Sequence, residues 1–212
     1  MATLHQHSGR SRVILIRHGQ TEFNRVFSVT RRDPGIRDPQ LTLHGRAQAA
    51  AIAAALQPLG IKKLIASPYA RALETASIIA SSLGVMITID MLIAERFCFA
   101  CDIGSPLAEL RARWPDLIYD HLPDPWWPQT EETEAAIAER SERFCCGIAG
   151  EDWTGIALVT HWGFIRALTG LKVPNGAVLR IDPTRREHPA EMLFVPPQED
   201  PPSAPLMPLH DP

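Results

Sequence analysis

Short aliphatic blocks and longer helical periods take turns along this chain. "VILI" at 13–16 sets four apolar residues together without a polar interruption. That is the pattern of a strand covered on both faces, as in a parallel sheet. "KKLIAS" at 62–67, "VMITIDMLIAE" at 85–95 (a strand and its exit) and "GIALVTH" at 155–161 predict three more strands. "AVLRID" at 177–182 and "EMLFV" at 191–195 predict the last two.

Helical periods fill the gaps between these blocks. "LTLHGRAQAAAIAAALQPLG" at 41–60 is alanine-rich, opens on Thr42 as N-cap and stops at Pro58 and Gly60. "SPYARALETASIIASSLG" at 67–84 places Ser67 as N-cap, Pro68 at the first helical position and Gly84 as terminator. Its Leu73, Ala76, Ile79, Ala80 and Leu83 fall on one stripe, which predicts packing on a sheet. Residues 129–150 form a further period, with acidic residues in the first turn and Ile137, Phe144 and Ile148 on one face. "WGFIRALTG" at 162–170 predicts a short helix closed by Gly170. Residues 98–128 hold no sustained period and read as an irregular excursion with one short helix near 106–113. The alternation predicts an α/β fold, a three-layer α/β/α sandwich with a mainly parallel sheet.

Composition narrows the classes of function. With 212 residues and 45% hydrophobic content, the chain suits one domain, expected over 11–195. Residues 1–10 read as a flexible N-terminus, and the proline-rich 196–212 as a disordered tail. A net charge of −3 argues against a nucleic-acid binder, so any basic site must be local. The opening residues lack the apolar stretch of a signal peptide, and no run approaches the roughly 20 apolar residues that span a bilayer. A cytoplasmic protein with no membrane partner is the expectation. Cys98 and Cys101 make one C-x-x-C without the partners of a zinc site, and Cys145 and Cys146 lie in a helical pattern as small hydrophobes.

Ligands of open α/β sheets bind beyond the carboxyl ends of the strands. There the first strand exits into Arg17, His18 and Gly19, and the second into Ser67, Pro68 and, one turn on, Arg71. The third exits near Glu95 and the fourth into His161. Two arginines, two histidines and a carboxylate at one edge suit a phosphoryl group. Guanidinium forks match phosphate oxygens, and the helices opening after Ser67 and His161 would add backbone donors. A neutral imidazole can attack phosphorus, with Arg17 and Arg71 holding its pKa down. A half-enclosed Glu95 with a raised pKa could protonate the leaving group.

The stretch "LIRHGQTEFN", followed in order by "LTLHGRAQA", "IASPYARALETA" and "LVTHWGFIRAL", resembles the signature of the histidine phosphatase superfamily, the phosphoglycerate-mutase-like proteins, in its phosphatase-type branch 1. The resemblance runs from Val13 to about Asp182. It implies a phosphoglycerate-mutase-like fold and a metal-independent phosphomonoester hydrolase of the EC 3.1.3 class, without cofactor, acting on a small phosphorylated substrate. His18 would be phosphorylated, with Arg17, Arg71 and His161 on the equatorial oxygens. Glu95 would protonate the leaving group and then deprotonate water. By the same resemblance Asn24 touches the phosphate, Thr21 shapes the loop beside the substrate, and the Gly19 carbonyl orients the His18 ring.

Departures from the family pattern keep other readings open. Trp162 stands where the family usually has glycine, and is expected at the pocket mouth against the substrate. Glu109 and Asp102 rival Glu95 as the acid. "RHGQTEFN" differs from the R-H-G-E-S-x-W-N of glycolytic mutases, which disfavours phosphoglycerate mutase activity. A silent phosphoryl-binding scaffold is the reading from another class. Metal-assisted hydrolysis through His18 and His161 is disfavoured by two arginines that would repel the cation. Trp126 and Trp127 line the site or pack the core. Arg25, Arg31 and Arg32 bind a second acidic group or form a solvated face. A homodimer is the assembly to test.

Overall fold

β1 (Val13–Arg17) sits near the middle of the sheet, and its side chains alternate between two cores. Val13 and Leu15 face one cluster, with Phe144, Phe164 and Ile165, while Ile14 and Ile16 face the other, with Ile52, Leu73 and Ile79. An uninterrupted apolar run is what such a doubly covered strand requires. The computed structural model describes residues 12–148, 152–183 and 189–198. The expected loose N-terminus, 1–10, lies outside the described residues.

The remaining strands are β2 (Lys63–Ala66), β3 (Met86–Ile89), β4 (Ile156–Thr160), β5 (Val178–Ile181) and β6 (Glu191–Phe194). The sheet order is β3-β2-β4-β1-β5-β6, with β1 to β4 parallel and β5 antiparallel to both neighbours. One face carries α2 (Leu43–Leu56) and α3 (Ala70–Leu83), and the other α5 (Glu134–Ile148) and α6 (Trp162–Thr169). The mainly parallel three-layer sandwich read from the sequence is therefore present.

Several local expectations change. α3 starts at Ala70 with Tyr69 in the N-cap position, not at Ser67 and Pro68. Ser67 N still donates to Val159 O, extending the strand, and its hydroxyl meets His161, so it is not available as a cap. Asp38 Oδ1 accepts from Ala70 N at 2.9 Å instead. α1 (Glu22–Thr30) was not expected; a capping box between Thr21 and Asn24 nucleates it, with one buried side chain, Phe23. The short helix near 106–113 is α4 (Leu107–Arg113). Residues 196–198, assigned to the disordered tail, pack on the fold: Gln48 Nε2 donates to Pro197 O at 3.3 Å and Gln198 Nε2 to Asn175 O at 3.1 Å. Residues 199–212 lie outside the described residues. Trp126 is core: it is 2% exposed, donates to Ser105 O, and packs edge-on against Tyr69.

Candidate active site

The strand ends β1, β2 and β4 meet where the sequence places its charged residues. Beyond β1 the chain is squeezed against the start of α2: a Cβ on Gly19 would lie 2.4 Å from Gly45 O, and one on Gly45 2.1 Å from Gln20 O. Both glycines are there for backbone-to-backbone contact. Thr42 N donates to Gln20 O, and Gly19 N to Thr75 Oγ1, so the loop after β1 is held from two helices.

His18 is 2% exposed and bonds through Nδ1 to Gly19 O at 2.7 Å. A carbonyl can only accept, so Nδ1 carries the proton and Nε2 presents its lone pair. Burial first, then the charges of Arg71 and Arg17, hold the ring well below the usual imidazole range. His18 is therefore neutral near pH 7 and has one tautomer.

His161 lies beside it, ring centres 5.1 Å apart, and is likewise kept neutral, chiefly by burial. Arg71 Nε donates to its Nδ1 at 3.2 Å, so the His161 proton sits on Nε2 and goes to Ser67 Oγ at 2.7 Å. Arg71 also donates to Cys101 O at 2.7 Å and to Asp102 Oδ1 at 3.0 Å. Among the described residues three of its five N–H donors are engaged, which leaves two for an anion. Burial lowers the Arg71 pKa, but the neighbouring Cys101, Asp102, Tyr69 and Asp38 side chains together raise it above the usual guanidinium range. Arg17 differs. Its Nη1 donates to Val173 O at 2.6 Å, while its buried Nε has no acceptor among the described residues. Burial pushes its pKa down to about 10. An unpaired buried donor costs about 1–3 kcal/mol, a deficit an anion's oxygen would remove.

Glu95 reaches the site by a different route. β3 is at the sheet edge, but the chain turns back across β2, and Thr160 Oγ1 fixes Ile93 O at 2.6 Å. Arg140 of α5 then donates to Leu92 O, Ala94 O and Glu95 O at 2.8 to 3.2 Å, its own fork closed by Glu132. Glu95 Oε1 accepts from Arg96 N and Gly163 N, both at 2.8 Å. Burial, then the neighbouring Asp102, raises its pKa. One backbone donor at the start of each of α3 and α6, Ala70 N and Gly163 N, thus serves Asp38 and Glu95 rather than the anion anticipated for it.

These groups open on a cavity of about 710 Å³, within the size range of small-molecule sites. Arg17, His18, Arg71 and Glu95 line it, as do Thr21, Asn24 and Trp162; His161 lies behind Arg71. The Asn24 Oδ1 accepts from Thr21 and from Asn175, which leaves its Nδ2 for a ligand. Of the rival acids, Glu109 is on the exposed side of α4, and Asp102 is locked to Arg71 and to the amides of Cys98 and Phe99. Arg31 lines the cavity, Arg25 pairs with Glu22, and the tryptophan pair lies outside it.

The model of the "Histidine phosphatase superfamily (branch 1)" matches residues 13–185. The chain belongs to this superfamily. It is 31% identical over 189 residues to the glucosyl-3-phosphoglycerate phosphatase of Mycolicibacterium vanbaalenii, covering 79% of this chain and 78% of the relative. The enzyme of the same name from Mycobacterium tuberculosis is 30% identical over 178 residues, covering 77% and 76%. The solved structure of a mycobacterial glucosyl-3-phosphoglycerate phosphatase with VO3 shares the fold, at a TM-score of 0.56 and 23% identity, over 87% of this chain and 97% of that one.

Within this histidine phosphatase the glycine usual after the second histidine is displaced by one position. Trp162 takes the usual place, half-buried on the cavity wall with Arg166 over its ring at 5.2 Å. Gly163 supplies the close approach: a Cβ there would lie 2.3 Å from Glu95 Oε1. Sequence reasoning missed Gly163, Asn175, Thr75 and Arg140. Thr75 had a legible signal, since it follows Arg71 by four residues on α3 and so shares its face. Asn175, in a loop before β5, had none.

Proposed function

We propose that the protein hydrolyses small phosphomonoesters through a phosphohistidine on His18, within one catalytic domain over 11–195. The observation that carries this reading is the His18–Gly19 bond, which leaves a neutral Nε2 lone pair facing a cationic cavity. Arg17 Nε, the two remaining Arg71 donors and Asn24 Nδ2 hold the phosphoryl oxygens. The Nε2 lone pair attacks phosphorus as the P–O bond to the leaving group breaks, and protonated Glu95 gives its proton to that oxygen. Glu95 carboxylate then takes a proton from water, the water oxygen attacks phosphorus, and the N–P bond returns its electron pair to Nε2. His161, fixed between Arg71 and Ser67, orients the guanidinium that grips the phosphoryl oxygens. Trp162 and Thr21 contact the rest of the substrate.

No described helix is long and apolar enough to cross a membrane. We place the enzyme in the cytoplasm, acting on a phosphorylated metabolite of the kind its mycobacterial relatives are named for.

The test is to incubate the protein with an aryl phosphate in excess chelator, quench in denaturant without acid, and map the phosphoryl adduct by mass spectrometry. Turnover with an adduct on His18 is expected; turnover with no adduct on any histidine would refute the covalent route. Gly163→Ala provides a second check, because the added methyl must displace the Glu95 carboxyl. A shift of this kind is expected to cost about 100-fold in kcat/KM on an alkyl phosphate and far less on an aryl one. Equal losses on both would mean that Gly163 does not act through Glu95.

A further inference from the structure

We propose that Arg96 and Arg166 form a second anion subsite at the cavity rim, so that the preferred substrates are phosphomonoesters carrying another acidic group. This rests on the phosphatase reading above. Six cations line the cavity against two carboxylates, Glu95 and Asp102, in a chain whose net charge is −3. One phosphoryl group occupies Arg17 and Arg71, which leaves Arg31, Arg96, Arg166 and Lys172 in excess.

Two of the four converge. Arg96 Nη1 and Arg166 Nη1 lie 3.4 and 3.3 Å from the same oxygen, Glu134 Oε1. One carboxylate oxygen bridging two guanidinium groups marks where an anion is held. Glu134 holds it loosely: its side chain is 62% exposed and offers a single oxygen to both arginines. Such exposed contacts are weak and screened. Glu132, two residues earlier, is the contrast, forked onto Arg140 at 2.7 and 2.9 Å with both side chains 12% exposed. Glu132 is structural, whereas Glu134 is an internal occupant that a substrate anion displaces.

The subsite is also tied to the reacting groups. Arg96 follows Glu95 and its backbone N binds the Glu95 carboxyl. Arg166 lies one turn after Trp162, on the helix that begins beside His161, and its guanidinium rests over the Trp162 ring. A carboxylate or second phosphate a few atoms from the phosphoryl group would bridge the two arginines, as Glu134 does.

The test compares kcat/KM for 3-phosphoglycerate and glycerol 3-phosphate, which differ by one carboxylate, with fructose 1,6-bisphosphate to tell a second phosphate from a carboxylate. The unmodified protein is expected to prefer at least one doubly acidic substrate by about tenfold or more. Arg166→Gln should bring that ratio toward one, and Glu134→Gln, an exposed change, should raise it. A ratio near one in the unmodified protein, equal losses on all substrates in Arg166→Gln, or no rise in Glu134→Gln would overturn the subsite. Absence of turnover on these substrates and on an aryl phosphate would instead overturn the phosphatase reading.

Discussion

Alanine at position 18 is expected to lower kcat/KM for an aryl phosphate by about 10,000-fold or more, since removing a covalent nucleophile leaves only binding and electrostatic assistance. The structure makes this a sharp test, because His161 cannot substitute. Its Nδ1 accepts from Arg71 and its Nε2 donates to Ser67, so no lone pair is free to attack. His18 is buried, and its loss also leaves a cavity. A thermal melt must accompany the kinetics, and a folded variant that keeps more than a hundredth of the activity would exclude His18 as nucleophile.

Glu95→Gln should separate substrates by their leaving groups. A general acid contributes about 100- to 10,000-fold where the departing oxygen is a poor leaving group. In kcat/KM, which reports the phosphorylation step, an alkyl phosphate should lose that much, while an aryl phosphate, whose phenolate leaves unaided, should lose little. The pH dependence follows from the shifts at the two groups. Glu95, with its pKa raised by burial, is needed protonated for phosphorylation, so kcat/KM on an alkyl phosphate falls as pH rises through that raised value. His18 is needed neutral, and because its pKa is well below the usual range, the acidic fall lies below that range too. In Glu95→Gln the basic fall on the alkyl substrate should vanish. Unchanged pH profiles would give the proton to another group.

What could be read before the structure was whatever depends on neighbours in the chain. "VILI" specifies a doubly covered strand, and the charged residues after each strand follow from the parallel arrangement. Thr42 caps α2 as anticipated, accepting from Gly45 N at 3.0 Å. Glu95 shows where such reading stops, since a sequence places it after an edge strand and only the crossing over β2 brings it to the site. Arg140, which fastens that crossing, did carry a sign: a charged residue on the same stripe as Ile137 and Phe144, where an apolar one would be ordinary. The start of α3 was misread because Ser67 suits a cap equally well, and its actual partner lies 94 positions away in sequence. Long-range contacts of that kind leave no local pattern.

Arg17 Nε, buried and without an acceptor among the described residues, also bears on how inhibitors should be designed for this pocket. A planar carboxylate offers two oxygens in one plane, which suits the two free donors of Arg71 but gives no third oxygen to reach Arg17 as well. A tetrahedral or trigonal-bipyramidal oxyanion, such as a phosphonate or vanadate, presents oxygens in several directions at once. Compounds of that shape, extended by a carboxylate toward the rim, are expected to bind more tightly than flat acids in an inhibition assay.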